Sequence, residues 1–155
     1  MQVLKALPAL LLSASLLLAA DKPNLSGSWK MDLKLSEFGD VPPPDSFARK
    51  IVHSEPSVIF SDEQVSQLGT EKADRKYTTD GKEIAYAWMG NDIKSAAHWE
   101  GDKLITVAKL STSGVDLTVN GTITLSADGK TLTEVDHVLM GANEVATYKI
   151  VMVKQ

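Results

Sequence analysis

Apolar and polar residues alternate along most of the chain after residue 26, in short runs separated by glycine turns. The clearest run is Val115 to Ser126, in which every second residue from Val115 to Leu125 is apolar apart from Gly121. Such alternation predicts β-strands with one face in a core and the other in solvent. The turns contain Asp-Gly and Gly-Asn pairs, which favour tight hairpins. The pattern therefore predicts an antiparallel meander.

The number of these runs predicts how the meander is arranged. Between Gly27 and Lys154 there are roughly eight to ten runs of strand length, and none has a helical period. A sheet of this length removes its exposed edges by closing on itself. We therefore predict an all-β fold, in which an up-and-down antiparallel meander closes into a barrel of roughly eight to ten strands.

Two local patterns predict irregularities. The first strand has an apolar row that continues to Leu35, and a stiff loop follows from Ser36 to Ser46, where three successive prolines exclude a helix or a central strand. In the run from Lys130 to Met140, the apolar phase changes between Leu132 and Val135. That change predicts a β-bulge.

The first 20 residues have the features of a secretory signal peptide. Lys5 precedes an apolar stretch from Leu7 to Leu18, and small residues follow at Ala19 and Ala20. We expect residues 1–20 to be a leader and residues 21–155 to form a single barrel domain. The stretch is too short to span a bilayer, and no second one follows, so the sequence predicts no membrane span and a periplasmic or secreted product.

Composition narrows the choice of partners. The chain has 16 Lys and Arg against 20 Asp and Glu, a net charge of −4, and no cysteine. Scattered basic residues in an acidic chain do not form the clustered positive face that nucleic acid requires, so we predict no nucleic-acid partner. Without cysteine there is neither a disulfide nor a site for a lipid anchor, and the core alone must hold the fold.

A short motif suggests a family. Gly27-Ser28-Trp29 opens the first strand, and a long loop and then the meander follow it. In this respect the chain resembles the lipocalins and the wider calycin group, and more closely the small exported lipocalin-like proteins of bacteria. The resemblance implies a lipocalin-like barrel in which Gly27 and Trp29 are structural, with Trp29 at the closed end. It also implies a cavity for a small hydrophobic molecule and a lid formed by the loop from Ser36 to Ser46.

The chain departs from the family pattern in three ways. Thr79-Asp80 is followed by Gly81 and not by tyrosine, and no late arginine is present to pack on Trp29, which leaves Lys149 or Lys154 for that position. The Arg-x-Tyr pair with which the related fatty-acid-binding proteins hold a carboxylate is also missing. Arg49 and Arg75 are the only arginines in the sequence, so an anionic ligand head is expected to find few bidentate anchors.

Large apolar side chains share the predicted inward faces of several strands, where smaller residues leave space between them. If these side chains line a cavity, they are the candidate ligand-binding residues; the alternative is that they fill a solid barrel. The candidates are Ile84, Tyr86, Trp88, Ile93, Trp99, Leu104, Tyr148 and Ile150.

The titratable residues give no catalytic motif. His53, His98 and His137 have no metal-ligand spacing and are expected to be surface or strand-edge imidazoles, so we predict no metal and no cofactor. Glu134 and Asp136 share one face of a strand. Paired carboxylates can transfer protons when buried, but without an accompanying partner a solvated strand face is the favoured interpretation.

Three functional hypotheses remain from the sequence. The leading one is an exported, non-enzymatic barrel that binds a small hydrophobic molecule. The alternative is a filled barrel that contacts another envelope protein through its outer surface, with the protein partner unknown. An enzyme that acts on a ligand held in the cup has the least support, because no catalytic residue can be named.

Overall fold

The computed structural model describes residues 22–88 and 90–155, so the predicted leader lies outside the described residues. The described residues form ten β-strands and no α-helix, which confirms the predicted all-β meander. The strands are β1 (Gly27–Met31), β2 (Ser46–Ser54), β3 (Ser57–Ser66), β4 (Gly69–Thr78), β5 (Ile84–Trp88), β6 (Asn91–Glu100), β7 (Lys103–Thr112), β8 (Val115–Leu125), β9 (Thr131–Met140) and β10 (Asn143–Lys154). In residues 22–88 and 90–155 no helix has the length and apolarity that a membrane crossing needs.

All ten strands belong to one sheet, in the order β4-β3-β2-β1-β10-β9-β8-β7-β6-β5. Chain neighbours pair antiparallel, except that β4 and β5 form no ladder, and the sheet curls round because β1 pairs with β10. The two edges, β4 and β5, face each other across a seam. Ser95 Oγ on β6 donates to the Lys76 carbonyl on β4 at 2.5 Å, and the Gly81 amide donates to the Ala97 carbonyl at 2.8 Å. These bonds hold the barrel nearly closed.

The two ends of the barrel differ in their connections. The β3–β4, β5–β6, β7–β8 and β9–β10 hairpins and the loop after β1 lie at one end, which we call the open end. The other end, which we call the closed end, receives the chain before β1 and the end of β10. Because the longer strands run between these ends, their inward residues contribute to both halves of the interior.

The closed half contains the apolar core. Its fully buried side chains include Leu25, Ile51, Leu104, Ile123 and Leu132. Trp29 lies among them with 1% of its surface exposed, and its Nε1 donates to the Leu25 carbonyl at 3.1 Å. Burial of this many large side chains is the main favourable term in the stability of the fold.

Lys154 covers the ring of Trp29 from the end of β10. Its Nζ lies 5.3 Å from the ring centroid, whereas Lys149 pairs with Glu37 at 3.0 Å. The sequence left Lys149 and Lys154 as candidates to replace the family's late arginine. Lys154 is therefore the one that packs on Trp29. Gly27 has a φ of +150°, and a Cβ there would lie 2.9 Å from Lys154 Cε. The motif needs glycine because residues with a side chain rarely adopt this φ, and the lysine stem would also have to move.

The first strand is shorter than predicted. β1 ends at Met31, and Leu33 and Leu35 are 44% and 55% exposed. Asp32 stops the strand because its carbonyl accepts from the Ser36 amide at 3.1 Å and its Oδ1 accepts from the Lys34 amide at 2.9 Å. The sequence alternates through this turn, but the backbone does not remain extended.

The predicted bulge in β9 is wrong. β9 pairs with β8 without any register shift, and the irregularity lies instead in β10, between Glu144 and Ala146. The apolar phase changes in the sequence because the inward row of β9 continues through Glu134 and Asp136, which are both buried. An unbroken strand with charged inward residues therefore looks like a bulge in the hydrophobic pattern.

Candidate functional site

A cavity of about 330 Å³ occupies the open half of the barrel. It lies at the lower end of the volume range that small-molecule sites usually have, roughly 300 to 1,000 Å³. Aromatic side chains and aliphatic ones share the wall. The aromatic residues are Phe47, Tyr77, Tyr86, Trp88 and Tyr148, and the larger aliphatic ones are Ile93, Leu110, Val119, Val138 and Ile150.

The loop that the resemblance implied as a lid contributes no lining residue to this cavity. Glu37 in that loop is tied to β10, because its amide donates to the Lys149 carbonyl at 2.7 Å and the reverse bond is 2.9 Å long. The loop is therefore fastened against the wall of the barrel, and the cavity is bounded by strand residues.

The eight sequence-predicted ligand residues divide into two groups. Tyr86, Trp88, Ile93, Tyr148 and Ile150 line the cavity. The remaining three, Ile84, Trp99 and Leu104, are not lining residues. Whether the lining residues contact a ligand stays a prediction.

The second group lies near the closed end, outside the cavity. Leu104 is fully buried in the core. Trp99 packs against this core, and the Nε1 of Trp99 donates to Glu55 Oε1 at 2.7 Å. Ile84 opens β5 beside the closed end, whereas Tyr86 and Trp88 are further up the same strand. Alternation predicts the face of a strand on which a side chain lies, but it does not predict how deep in the barrel that side chain sits.

A layer of charged side chains forms the floor of the cavity. Arg49, which is 2% exposed, donates from Nε and Nη2 to the two oxygens of Asp62 at 2.6 and 2.9 Å. Its Nη1 donates to Glu134 Oε2 at 2.5 Å. The guanidinium carbon lies 4.7 Å from the ring centroid of Phe60, so the charge is also held against an aromatic face.

Arg75 completes the layer from β4. Its Nε donates to Asp62 Oδ2 at 3.2 Å, and its Nη1 lies 3.0 Å from Glu134 Oε1. Two arginines and two carboxylates thus form one network across β2, β3, β4 and β9, which we call the charged quartet (Arg49, Asp62, Arg75 and Glu134). Burial alone raises the pKa of Glu134, but the charges of Arg49 and Arg75 outweigh that effect and lower it to about 2.

Asp136 is a third carboxyl group at the floor, beside the charged quartet. It is 8% exposed, and its Oδ1 is buried with no hydrogen-bond partner among the described residues. Burial, and then the negative charge of Glu134, raise the pKa of Asp136 to about 7. A buried polar atom without a partner is rare in native proteins and often marks a functional position.

Gly121 on β8 makes room for this carboxyl group. A Cβ at Gly121 would lie 2.6 Å from Asp136 Oδ1 and 2.4 Å from Thr106 Oγ1. The three residues are direct neighbours on β7, β8 and β9. Thr106 Oγ1 and Asp136 Oδ1 therefore both lie over the backbone of Gly121, on the cavity side of the sheet.

Comparison with known proteins supports the fold. A scan against models of protein families finds no match to this chain, and a search of curated proteins finds none. Among solved structures, human cRBP IV matches with a TM-score of 0.56 and 13% identity over 86% of this chain and 99% of that one. The zebrafish ileal bile acid-binding protein complexed with cholic acid matches with a TM-score of 0.55 and 19% identity over 84% and 98%.

A secretory abundant heat soluble protein from Ramazzottius varieornatus gives a TM-score of 0.56 at 13% identity over 84% of this chain and 94% of that one. The fold is a lipocalin-like barrel. Identities this low establish the fold alone, and that fold agrees with the resemblance to the lipocalins and the wider calycin group.

The charged floor of this lipocalin-like barrel was missed at the sequence level. Glu134 and Asp136 were interpreted as a solvated strand face, and that interpretation is wrong because both are buried. Inward rows of a barrel are usually apolar, whereas the inward row of β9 includes two carboxyl groups. A signal was present: Arg49 alternates with the apolar Phe47 and Ile51, and therefore shares their inward face.

The three histidines differ in their surroundings. His98 and His137 are about half exposed and lie near Glu100 and Glu144, respectively, as expected for surface imidazoles. The side chain of His53 is only 4% exposed, so that prediction is wrong for this residue. Its Nδ1 accepts from the Leu25 amide at 3.2 Å, which ties the entering chain to β2. Within the described ranges, no three His, Asp or Glu side chains are grouped to hold a metal ion.

Proposed function

We propose that this lipocalin-like barrel is a non-enzymatic binding protein that holds a small hydrophobic molecule in its open half. The observation that carries the proposal is the cavity of about 330 Å³, with its aromatic and aliphatic wall, above a closed half that holds the buried apolar core. Concave apolar sites with a few polar groups are the usual form of small-molecule sites. One neighbour in fold was solved as a complex with cholic acid, which supports the same use of the interior here.

We also propose that the protein is exported, to the periplasm or beyond the cell. The support is the leader-like sequence of residues 1–20. The intact mass of material recovered from outside the cytoplasm tests this directly. Removal of the leader near Ala20 is expected, and a retained leader on that material would contradict export by cleavage.

The binding proposal is tested by titrating the protein with a fluorescent apolar dye. Ala108 lines the cavity, so Ala108→Trp is expected to fill it and to reduce dye binding at least tenfold, which is about 1.4 kcal/mol. Ala87 is exposed on β5, so Ala87→Trp adds the same ring outside the barrel and is the matched control. Circular dichroism and a melting curve check that both variants remain folded.

The outcomes separate the two leading hypotheses. Dye binding that is lost in Ala108→Trp and kept in Ala87→Trp supports the cavity as the binding site. Dye binding that is absent in the wild type, or equal in both variants, would contradict the proposal. It would favour the alternative that the barrel contacts a protein partner through its outer surface.

A further inference from the structure

The charged quartet leaves no cation at the cavity floor for a ligand. Arg49 and Arg75 each contact both Asp62 and Glu134, at distances from 2.5 to 3.2 Å. Two positive charges are therefore matched by two negative charges. A ligand carboxylate would have to displace one of these buried pairs, and breaking a buried pair is costly because it leaves an unpaired charge.

The polar groups that remain available at the cavity are those of an uncharged site. Asp136 Oδ1 and Trp88 Nε1 are buried and have no hydrogen-bond partner in the part of the chain that the structure describes, and both residues line the cavity. Glu134 Oε1 also lacks a hydrogen bond, but it lies 3.0 Å from Arg75 Nη1 and is neutralised by that contact. The oxygen of Asp136 can accept a hydrogen bond, and it offers a ligand anion no positive charge.

The position of Asp136 suits a ligand group that donates a hydrogen bond. Thr106 Oγ1 and Asp136 Oδ1 both lean over Gly121, and Thr106 also lines the cavity. Because Gly121 has no side chain, both oxygens fit over its backbone. A hydroxyl group at the inner end of an apolar molecule can donate to one oxygen and accept from the threonine hydroxyl.

We propose that this cavity selects an uncharged apolar alcohol over the carboxylate of the same chain length, with Asp136 Oδ1 accepting the hydrogen bond from the ligand hydroxyl. The inference rests on the proposed function and adds the chemical class of the ligand. The selection follows from two features together: the arginines are already paired, and Asp136, whose Oδ1 has no hydrogen-bond partner among the described residues, lines the cavity.

The groups around Asp136 are consistent with an uncharged ligand. It faces Glu134 on its own strand, Arg49 on β2, and Arg75 and Tyr77 on β4. Burial and the Glu134 charge raise the pKa of Asp136 to about 7. Near neutral pH the floor therefore carries little net charge.

The test is displacement of the fluorescent apolar dye by three competitors with one chain length: decanol, decanoate and decylamine. At neutral pH, decanol is expected to displace the dye at a concentration at least tenfold lower than decanoate does. In Asp136→Leu the advantage of decanol over decanoate is expected to fall below about threefold, since the acceptor is gone. Asp136→Asn keeps an amide oxygen and is expected to retain most of the advantage.

Asp116 is exposed on β8, and Asp116→Leu is the control, with the wild-type preference expected. Equal displacement by decanol and decanoate would overturn the inference, as would tightest binding of decylamine or an unchanged preference in Asp136→Leu. The comparison of decanol with decanoate in the wild type needs no variant. It therefore tests the inference even if Asp136→Leu does not fold. A wild type that binds no dye would instead refute the proposed function, which keeps the two failures distinct.

Discussion

The closed and open halves of the barrel are built from the same strands, yet they are organised differently. In the closed half, inward side chains such as Leu104, Ile123 and Leu132 are fully buried against one another around Trp29. In the open half, the same inward rows continue as the wall of a cavity. The comparison teaches that one alternating pattern can serve stability at one end of a strand and binding at the other.

The charged quartet is the boundary between the two halves. Buried ion pairs usually contribute little net stability, because desolvation of the charges offsets their attraction. Apolar residues at these positions would extend the packed core upward. The charged quartet therefore sets the depth of the cavity and presents polar groups at its floor. For this reason we assign it to the half of the barrel that binds and not to the half that stabilises the fold.

The largest expected effect is at the closed end. Trp29→Ala removes a side chain that is 1% exposed and the surface on which Lys154 packs, and it should lower the free energy of unfolding by ~3 to 5 kcal/mol. Chemical denaturation measures it. The matched change in the cavity wall, Trp88→Ala, should cost clearly less because its ring already borders open space. Equal losses would remove the distinction between the two halves.

A loss of about 3 kcal/mol is expected from Arg49→Met, which keeps an apolar stem but leaves Asp62 and Glu134 short of one cation. Denaturation at neutral pH measures this loss. The variant should recover part of its stability in acid, where the stranded carboxylates take up protons. A variant as stable as the wild type at neutral pH would show that the ion pairs are not buried as described.

The next effect is a pH dependence that comes from Asp136. Its pKa is raised from 3.8 to about 7 in the folded protein, so the folded state binds this proton more tightly than the unfolded chain does. The wild type therefore loses stability as pH rises through this window, whereas Glu134, with its lowered pKa, contributes stability that is lost only as pH falls below about 4.5.

Asp136→Asn cannot titrate and should escape that loss. Its free energy of unfolding relative to the wild type should increase by on the order of 2 to 3 kcal/mol between about pH 4.5 and about pH 8. Any constant cost of the amide cancels in this difference. Asp116→Asn, on the exposed face of β8, should show no such trend. A difference that is flat with pH would contradict the raised pKa.

The smallest effect is expected outside the barrel. His98 is about half exposed beside Glu100, so His98→Ala should change stability by less than about 0.5 kcal/mol and leave dye binding unaltered. Thermal melting and the dye titration check both quantities. A marked loss of binding in this variant would place the site on the outer surface.

Particular residues show how far the sequence was informative. Strict alternation from Val115 to Leu125 predicted the faces of β8 correctly, because the period of a strand is independent of its neighbours. The depth of Trp99 and Leu104 was not predictable, because it depends on how hairpins are staggered around the barrel. The charged quartet was missed because each of its members looks like a surface residue until its partners, up to 85 positions away, are known.

The central claim is that a ligand occupies the open half and not the closed half, and the three tryptophans can test it. Trp88 lines the cavity, whereas Trp29 and Trp99 pack at the closed end. A bromine-bearing apolar alcohol quenches only the indole rings that it approaches closely. Quenching that is kept in Trp99→Phe and lost in Trp88→Phe is the predicted result. Quenching that persists in Trp88→Phe and disappears in Trp99→Phe would contradict the account.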